Sequence, residues 1–212
     1  MKLLVSILAA GLMAGVFVPL FFKMEKQKAL HVLMKGLATL CPAALCLIAA
    51  VQAGSASAWW MAAGLWVCLA ADVLLEMRFY WGMGAFALGH VLYIIAFLKA
   101  APFHWPSLLF FVVLAAVLSV LFYFWREKAG RRLAPFVLYG LVLCAMTSLA
   151  LPLSFTMAPP RGWLLAAGAS FFTLSDGLLC RNILMGATRG QKMFSLYAYY
   201  LGQFLLALGW YL

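Results

Sequence analysis

The chain has 212 residues, 68% of them hydrophobic and only 9% charged, with a mean hydropathy of +1.07 and a net charge of +10. A soluble domain of this size carries roughly 25% charged residues, so the composition excludes a soluble enzyme and describes a protein that is almost all membrane. The excess of basic residues sits between apolar runs, where it reads as an orientation signal and not as a nucleic-acid-binding surface.

Eight apolar runs of spanning length follow one another at residues 3–22, 29–51, 58–76, 80–98, 105–125, 134–152, 162–180 and 194–212. The first is long for a signal peptide and has Lys23, Lys26 and Lys28 after it, so it is expected to be an uncleaved span. The second carries His31, Lys35 and Thr39 on one helical face, at i, i+4 and i+8. The third ends on Asp72 and, one turn later, Glu76. A short turn leads to the fourth, with His90 and Tyr93. The seventh ends on Ser175-Asp176, and the eighth carries Tyr199, Tyr200 and Gln203. Five cysteines (Cys41, Cys46, Cys68, Cys144 and Cys180) lie within apolar runs without a CxxC pair, which suggests packing residues and neither a disulfide framework nor a zinc knuckle.

The expected fold is all-α: one polytopic transmembrane bundle of eight spans over residues 1–212. Asp72-Val-Leu-Leu and Asp176-Gly-Leu-Leu close the third and seventh runs, each followed by a basic turn. That match predicts a parallel four-plus-four repeat, about 1–100 and 101–212, of the kind known in transporters. Alternate connections (23–28, 76–80, 126–132 and 181–193) hold eleven basic residues, against three at Lys2, Lys99 and Arg161. By the positive-inside rule both termini are expected outside the cytoplasm, with Trp59, Trp60, Trp105, Trp163 and Trp210 in an outer aromatic belt.

Ionisable groups within lipid-spanning sequence cost about 2.5–3.5 kcal/mol each even on lenient scales. Counting 1.5 Å per residue from the cytoplasmic end of each span, Asp72 and Asp176 lie roughly 6–9 Å deep and Lys35 and His90 about 9–15 Å. Tyr199, Tyr200 and Gln203 fall in the same layer. Five spans thus place polar groups at one level, with Lys35 the one intramembrane cation available to the aspartates. The plainer readings are a structural ion pair for Asp72 with Lys35, a packing role for His90, and solvated or interfacial positions for Glu76, Arg78, His31 and His104. No HExxH, HxxxH or Cys/His cluster suggests a metal, no glycine-rich loop a phosphate cradle, and no GxSxG a nucleophile elbow. Ser175 and its neighbour Asp176 face apart on a helix, so they do not form a nucleophile–base pair.

Lys35 with Leu37 and Thr39, Ala71-Asp72, Gly89-His90 with Tyr93, Ser175-Asp176, and Tyr199-Tyr200 with Gln203 together resemble the YhhN/TMEM86 family of eight-span membrane proteins, which includes lysoplasmalogenases. The ordered set, more than any one motif, carries the likeness. The chain departs from it in having Lys35-Gly36 where the family usually has Lys-Pro, and Ala71-Asp72 where it has Gly-Asp. The resemblance implies hydrolysis of the vinyl ether of a lysoplasmalogen to a fatty aldehyde and a glycerophospho-alcohol. Such an ether hydrolyses by protonation of its outer alkene carbon and attack of water on the oxocarbenium ion. Two carboxylates in different environments solve the related problem in glycosidases. Asp72 and Asp176 are the expected catalytic pair. Lys35 is expected either to hold the substrate phosphate or to keep one aspartate ionised. His90, Tyr93, Tyr199, Tyr200 and Gln203 are expected to bind substrate and orient water, with the lipid tail in the apolar outer half. No cofactor, nucleic-acid or protein partner is implied. The membrane is expected to be a bacterial inner membrane. The competing classes are a proton- or ion-coupled transporter, for which the repeat and the buried charges would serve equally well, and a non-catalytic membrane scaffold.

Overall fold

The computed structural model describes residues 2–212, which are helical throughout apart from short connections, with no strand among the described residues. A chain this apolar has no water within lipid to satisfy its backbone, so each segment hydrogen-bonds within itself. Eight helices of 18 residues or more cover the eight apolar runs: α1 (Lys2–Lys23), α2 (Lys28–Ala53), α3 (Ala56–Met77), α4 (Phe79–Ala100), α5 (Pro106–Ala129), α6 (Leu133–Ala150), α7 (Arg161–Met185) and α8 (Arg189–Tyr211). One extra turn, Leu153–Thr156, lies between α6 and α7. By length and composition α1, α2, α3, α4 and α7 can each cross a membrane, as can the apolar stretch Pro106–Thr156 that contains α5 and α6. The protein is an integral, multi-pass membrane protein. α8 is less apolar, because Arg189, Gln191 and Lys192 open it and buried Ser195, Tyr199, Tyr200 and Gln203 follow.

Several helices run past their apolar stretch. α5 carries Arg126 and Lys128 on its last turn before the 3-10 turn Gly130–Arg132, and α7 continues to Met185. The expected 181–193 loop therefore shrinks to three residues between helices. α8 starts where a capping box allows it: Thr188 Oγ1 accepts from the Gln191 backbone N–H at 3.3 Å, and Gln191 Oε1 accepts from the Thr188 N–H at 2.9 Å. α2 stops at Gly54, whose φ of 60° lets its N–H reach back to the Ala50 carbonyl. Only Arg78, in extended conformation, separates α3 from α4.

Two hairpins, α3–α4 and α7–α8, form the closest helix pairs, and both depend on small residues. A Cβ on Gly64 would fall 2.5 Å from the Tyr93 ring and 3.1 Å from the Gly89 carbonyl. A Cβ on Gly202 would fall 2.7 Å from the Phe172 backbone nitrogen, and one on Gly168 2.8 Å from that of Leu206. The hairpins interlock through the remaining helices: α8 packs on α2, and α4 packs on α6. Trp59, Trp105 and Trp163 are exposed, as an aromatic belt requires, but Trp210 is only 6% exposed. It lies under the Arg161 guanidinium, 4.3 Å from the ring centroid, where α8 packs on α7.

Candidate active site

Lys35 is 5% exposed, and a buried ammonium must be paired to be tolerated. Its Nζ donates to Glu76 Oε1 at 2.7 Å and stands 3.6 Å from Asp72 Oδ1. Asp72 and Glu76 are one turn apart on α3, so the lysine from α2 meets both. Asp72 Oδ2 also accepts hydrogen bonds from Thr39 Oγ1 and, at 2.6 Å, from Tyr199 OH of α8. Behind Tyr199 the chain of donors continues: Gln203 Nε2 donates to the Tyr199 oxygen at 3.0 Å, and Tyr93 OH donates to Gln203 Oε1 at 3.0 Å. Tyr200 OH donates to the Lys35 carbonyl at 3.1 Å, tying α8 to α2. On the outer side of Glu76, His31 Nε2 lies 3.7 Å from Oε2, its ring stacked on Phe21.

Asp176 has a different set of neighbours. Tyr139 OH, from α6, donates to its Oδ2. His90 Nε2 lies 3.0 Å from the Tyr139 oxygen and 3.9 Å from Asp176 Oδ2. Since Tyr139 gives its proton to Asp176, its oxygen accepts from His90, which assigns the imidazole proton to Nε2. His90 Nδ1 is buried without a partner. A bare ring nitrogen is the cheaper group to leave so, and the assignment agrees with that.

Both aspartates open into one cavity of about 640 Å³. Lys35, Asp72, Glu76, Tyr139, Asp176 and Tyr199 form its polar side, and His31, Glu25 and Lys192 also line it. Its apolar walls are Leu114, Val117, Leu118, Leu121 and Phe122 of α5 with Leu143 of α6.

The structure thus brings Asp72, Asp176, Lys35 and Tyr199 to a common space. His90, Tyr93, Tyr200 and Gln203 do not line it: they stand one layer back, supporting residues that do. Sequence reasoning passed over Tyr139, which looks like a packing residue in an apolar run. One signal was available: Tyr139 precedes Asp176 by 37 residues, as Lys35 precedes Asp72. Glu76 is the nearest partner of Lys35 as well as partly solvated, and His31 belongs to the cavity wall. Among the described residues no three His, Cys, Asp or Glu side chains are grouped as a metal ion would need.

Residues 30–210 match the YhhN family. The lysoplasmalogenase TMEM86B of Mus musculus is 31% identical over 174 residues, spanning 79% of this chain and 72% of the relative. The lysoplasmalogenase TMEM86B of Rattus norvegicus is 30% identical over 173 residues, spanning 79% and 70%. No solved structure matches the chain. With nearly the whole helical bundle covered, the chain belongs to the YhhN family.

Proposed function

We propose that this protein is a lysoplasmalogenase-like hydrolase that cleaves the vinyl ether bond of a lysoplasmalogen within the membrane. The observation that carries the reading is the placement of two carboxyl groups from separate helices, Asp72 and Asp176, on one largely apolar cavity beside a buried lysine. The named activity of the relatives points the same way. The cavity suits a single-chain lipid: the α5 and α6 walls accept the alkenyl chain, and Lys35 and Lys192 offer cationic groups to a phosphate. One carboxyl protonates the outer alkene carbon. The resulting oxocarbenium ion is attacked by water as the other carboxylate takes a proton, and the hemiacetal collapses to aldehyde and alcohol. Tyr199 and Tyr139 hold the two carboxyls in place, backed by Gln203, Tyr93 and His90. Eight spans with both termini outside the cytoplasm put this cavity at the cytoplasmic side, in keeping with the distribution of basic residues.

Purified protein in detergent, given lysoplasmalogen, should release a fatty aldehyde and should leave the saturated alkyl ether analogue intact, since that compound has no alkene to protonate. Turnover without a sealed membrane separates a hydrolase from a transporter. No aldehyde release from a folded, monodisperse preparation would sink the reading.

A further inference from the structure

The cavity has a mouth and a rim. At the mouth stand two exposed residues of opposite charge, Glu25 from the α1–α2 connection and Lys192 from the first turn of α8. Along one wall, α5 presents a single helical stripe: Leu114, Val117, Leu118, Leu121, Phe122 and Trp125. Such a stripe ordinarily packs on neighbouring helices, but α5 packs along α6 and only lightly on α7. Phe122 is accordingly buried, whereas Val117 is 53% and Leu121 38% exposed although both line the cavity. A side chain is both lining and open where a cavity meets the outside, so these two mark its rim. Across from α5, Gly177 of α7 also lines the cavity and is exposed, and a Cβ there would meet nothing within 4 Å. The glycines at 64, 168 and 202 are required by groups that approach closely, and Gly177 is not. A glycine inside a helix weakens it, so its place beside Asp176 calls for another reason. Depth supplies one. Gly177 lies four residues inside Arg181, and Val117 nine inside Arg126, roughly 6 and 14 Å along the helices. The rim therefore opens among lipid chains, away from the water at the mouth.

We propose that the gap between α5 and α7, edged by Val117, Leu121 and Gly177, is a lateral passage through which the hydrocarbon chain of a bilayer lipid enters the cavity, and that Gly177 keeps it open. The inference rests on the vinyl ether reading above for its substrate. A long-chain lysolipid entering by the mouth would carry its whole chain through water, at a cost that grows with every methylene. Through the gap the chain stays among apolar groups, while the polar head reaches the mouth, where Lys192 meets a phosphate and Glu25 a terminal amine. The far end of the chain remains in the bilayer, so the cavity need not enclose it. The products part along the same two routes. The fatty aldehyde returns to lipid through the gap, and the glycerophospho-alcohol leaves to water by the mouth.

The test compares two lysoplasmalogens in bilayer nanodiscs, one long-chain and held in the bilayer, the other short-chain and water-soluble. Filling the gap should lower the long-to-short ratio of kcat/KM on the order of tenfold in Gly177→Leu. Val117→Trp carries the same expectation from the other edge and serves if Gly177→Leu does not fold. Val113→Trp, on the exposed face of α5 outside the cavity, should leave the ratio where it is. Thermal unfolding is read alongside. Gly177→Leu replaces a helix-interior glycine in open space, so it should melt higher even as long-chain turnover falls, which a structural lesion would not do. Equal slowing of both substrates, an unchanged ratio in the gap variants, or an equal change in Val113→Trp would overturn the passage and leave the vinyl ether reading standing. Capture of a photoreactive long-chain alkyl ether lysolipid, weaker in Gly177→Leu than in the unmodified protein, reads the passage without turnover. That difference with no aldehyde from either substrate would overturn the vinyl ether reading alone; no aldehyde and equal capture would overturn both.

Discussion

The two aspartates lie on separate helices, α3 and α7, and line one cavity, yet their surroundings are built on opposite principles. Asp72 is 1% exposed at its side chain and is answered by a cation and two hydroxyls. Asp176 is 10% exposed and is answered by one hydroxyl, itself held by the His90 imidazole. The more deeply buried carboxyl has the stronger set of partners, which is what the cost of burying charge demands. The comparison teaches that one helical framework can hold two acids in different surroundings, set by Lys35 and Thr39 of α2 and Tyr199 of α8 for one and by Tyr139 of α6 for the other.

The largest expected effect comes from removing either acid. Asp72→Asn and Asp176→Asn keep size and hydrogen bonding but lose the titrating proton, and each should lower turnover by about 10²–10⁴-fold. Assay of both variants against equal amounts of folded protein checks this; one variant at near-full rate would leave a single working half. Stability should show the asymmetry next. Lys35→Met strands Asp72 and Glu76 as unpaired acids and should cost about 3 kcal/mol, whereas Tyr139→Phe gives up hydrogen bonds worth about 1 kcal/mol. Thermal unfolding in detergent reads both, and equal losses would erase the distinction between the sites. A smaller difference separates the glycines. Gly202→Ala forces a Cβ to within 2.7 Å of the Phe172 backbone, which cannot swing aside, and should cost about 1–3 kcal/mol. Gly84→Ala meets nothing within 4 Å and should stabilise α4 by roughly 0.5–1 kcal/mol. The same melts decide it. The smallest effect expected is none: prolonged EDTA and phenanthroline should leave aldehyde release unchanged, and its loss with recovery on adding back a stoichiometric metal ion would displace the carboxylate mechanism.

Much of this was open to reading along the chain, because hydropathy and charge are one-dimensional properties. Asp72, Asp176 and Lys35 stand out wherever apolar runs are counted, since each is expensive in lipid. The common depth of Lys35, His90, Tyr199 and Gln203 follows from helical rise alone. What depth does not contain is rotation. His90 and Gln203 sit at the level of the site yet face its supports, and Trp210 sits at a helix end yet is buried under Arg161.

The sequence by itself determined that this is an all-helical, multi-pass membrane protein, roughly where its apolar helices lie, and which acids and which cation lie within them. Composition and spacing suffice for that, because a backbone in lipid has few ways to satisfy itself. Only the tertiary structure decided that Lys35 meets Glu76 and Asp72, that Tyr139 meets Asp176, and that one cavity joins the two acids. Helical periodicity says which residues share a face, but the helix that faces them is chosen by where glycines let backbones approach, at Gly64 with Gly89 and at Gly168 with Gly202.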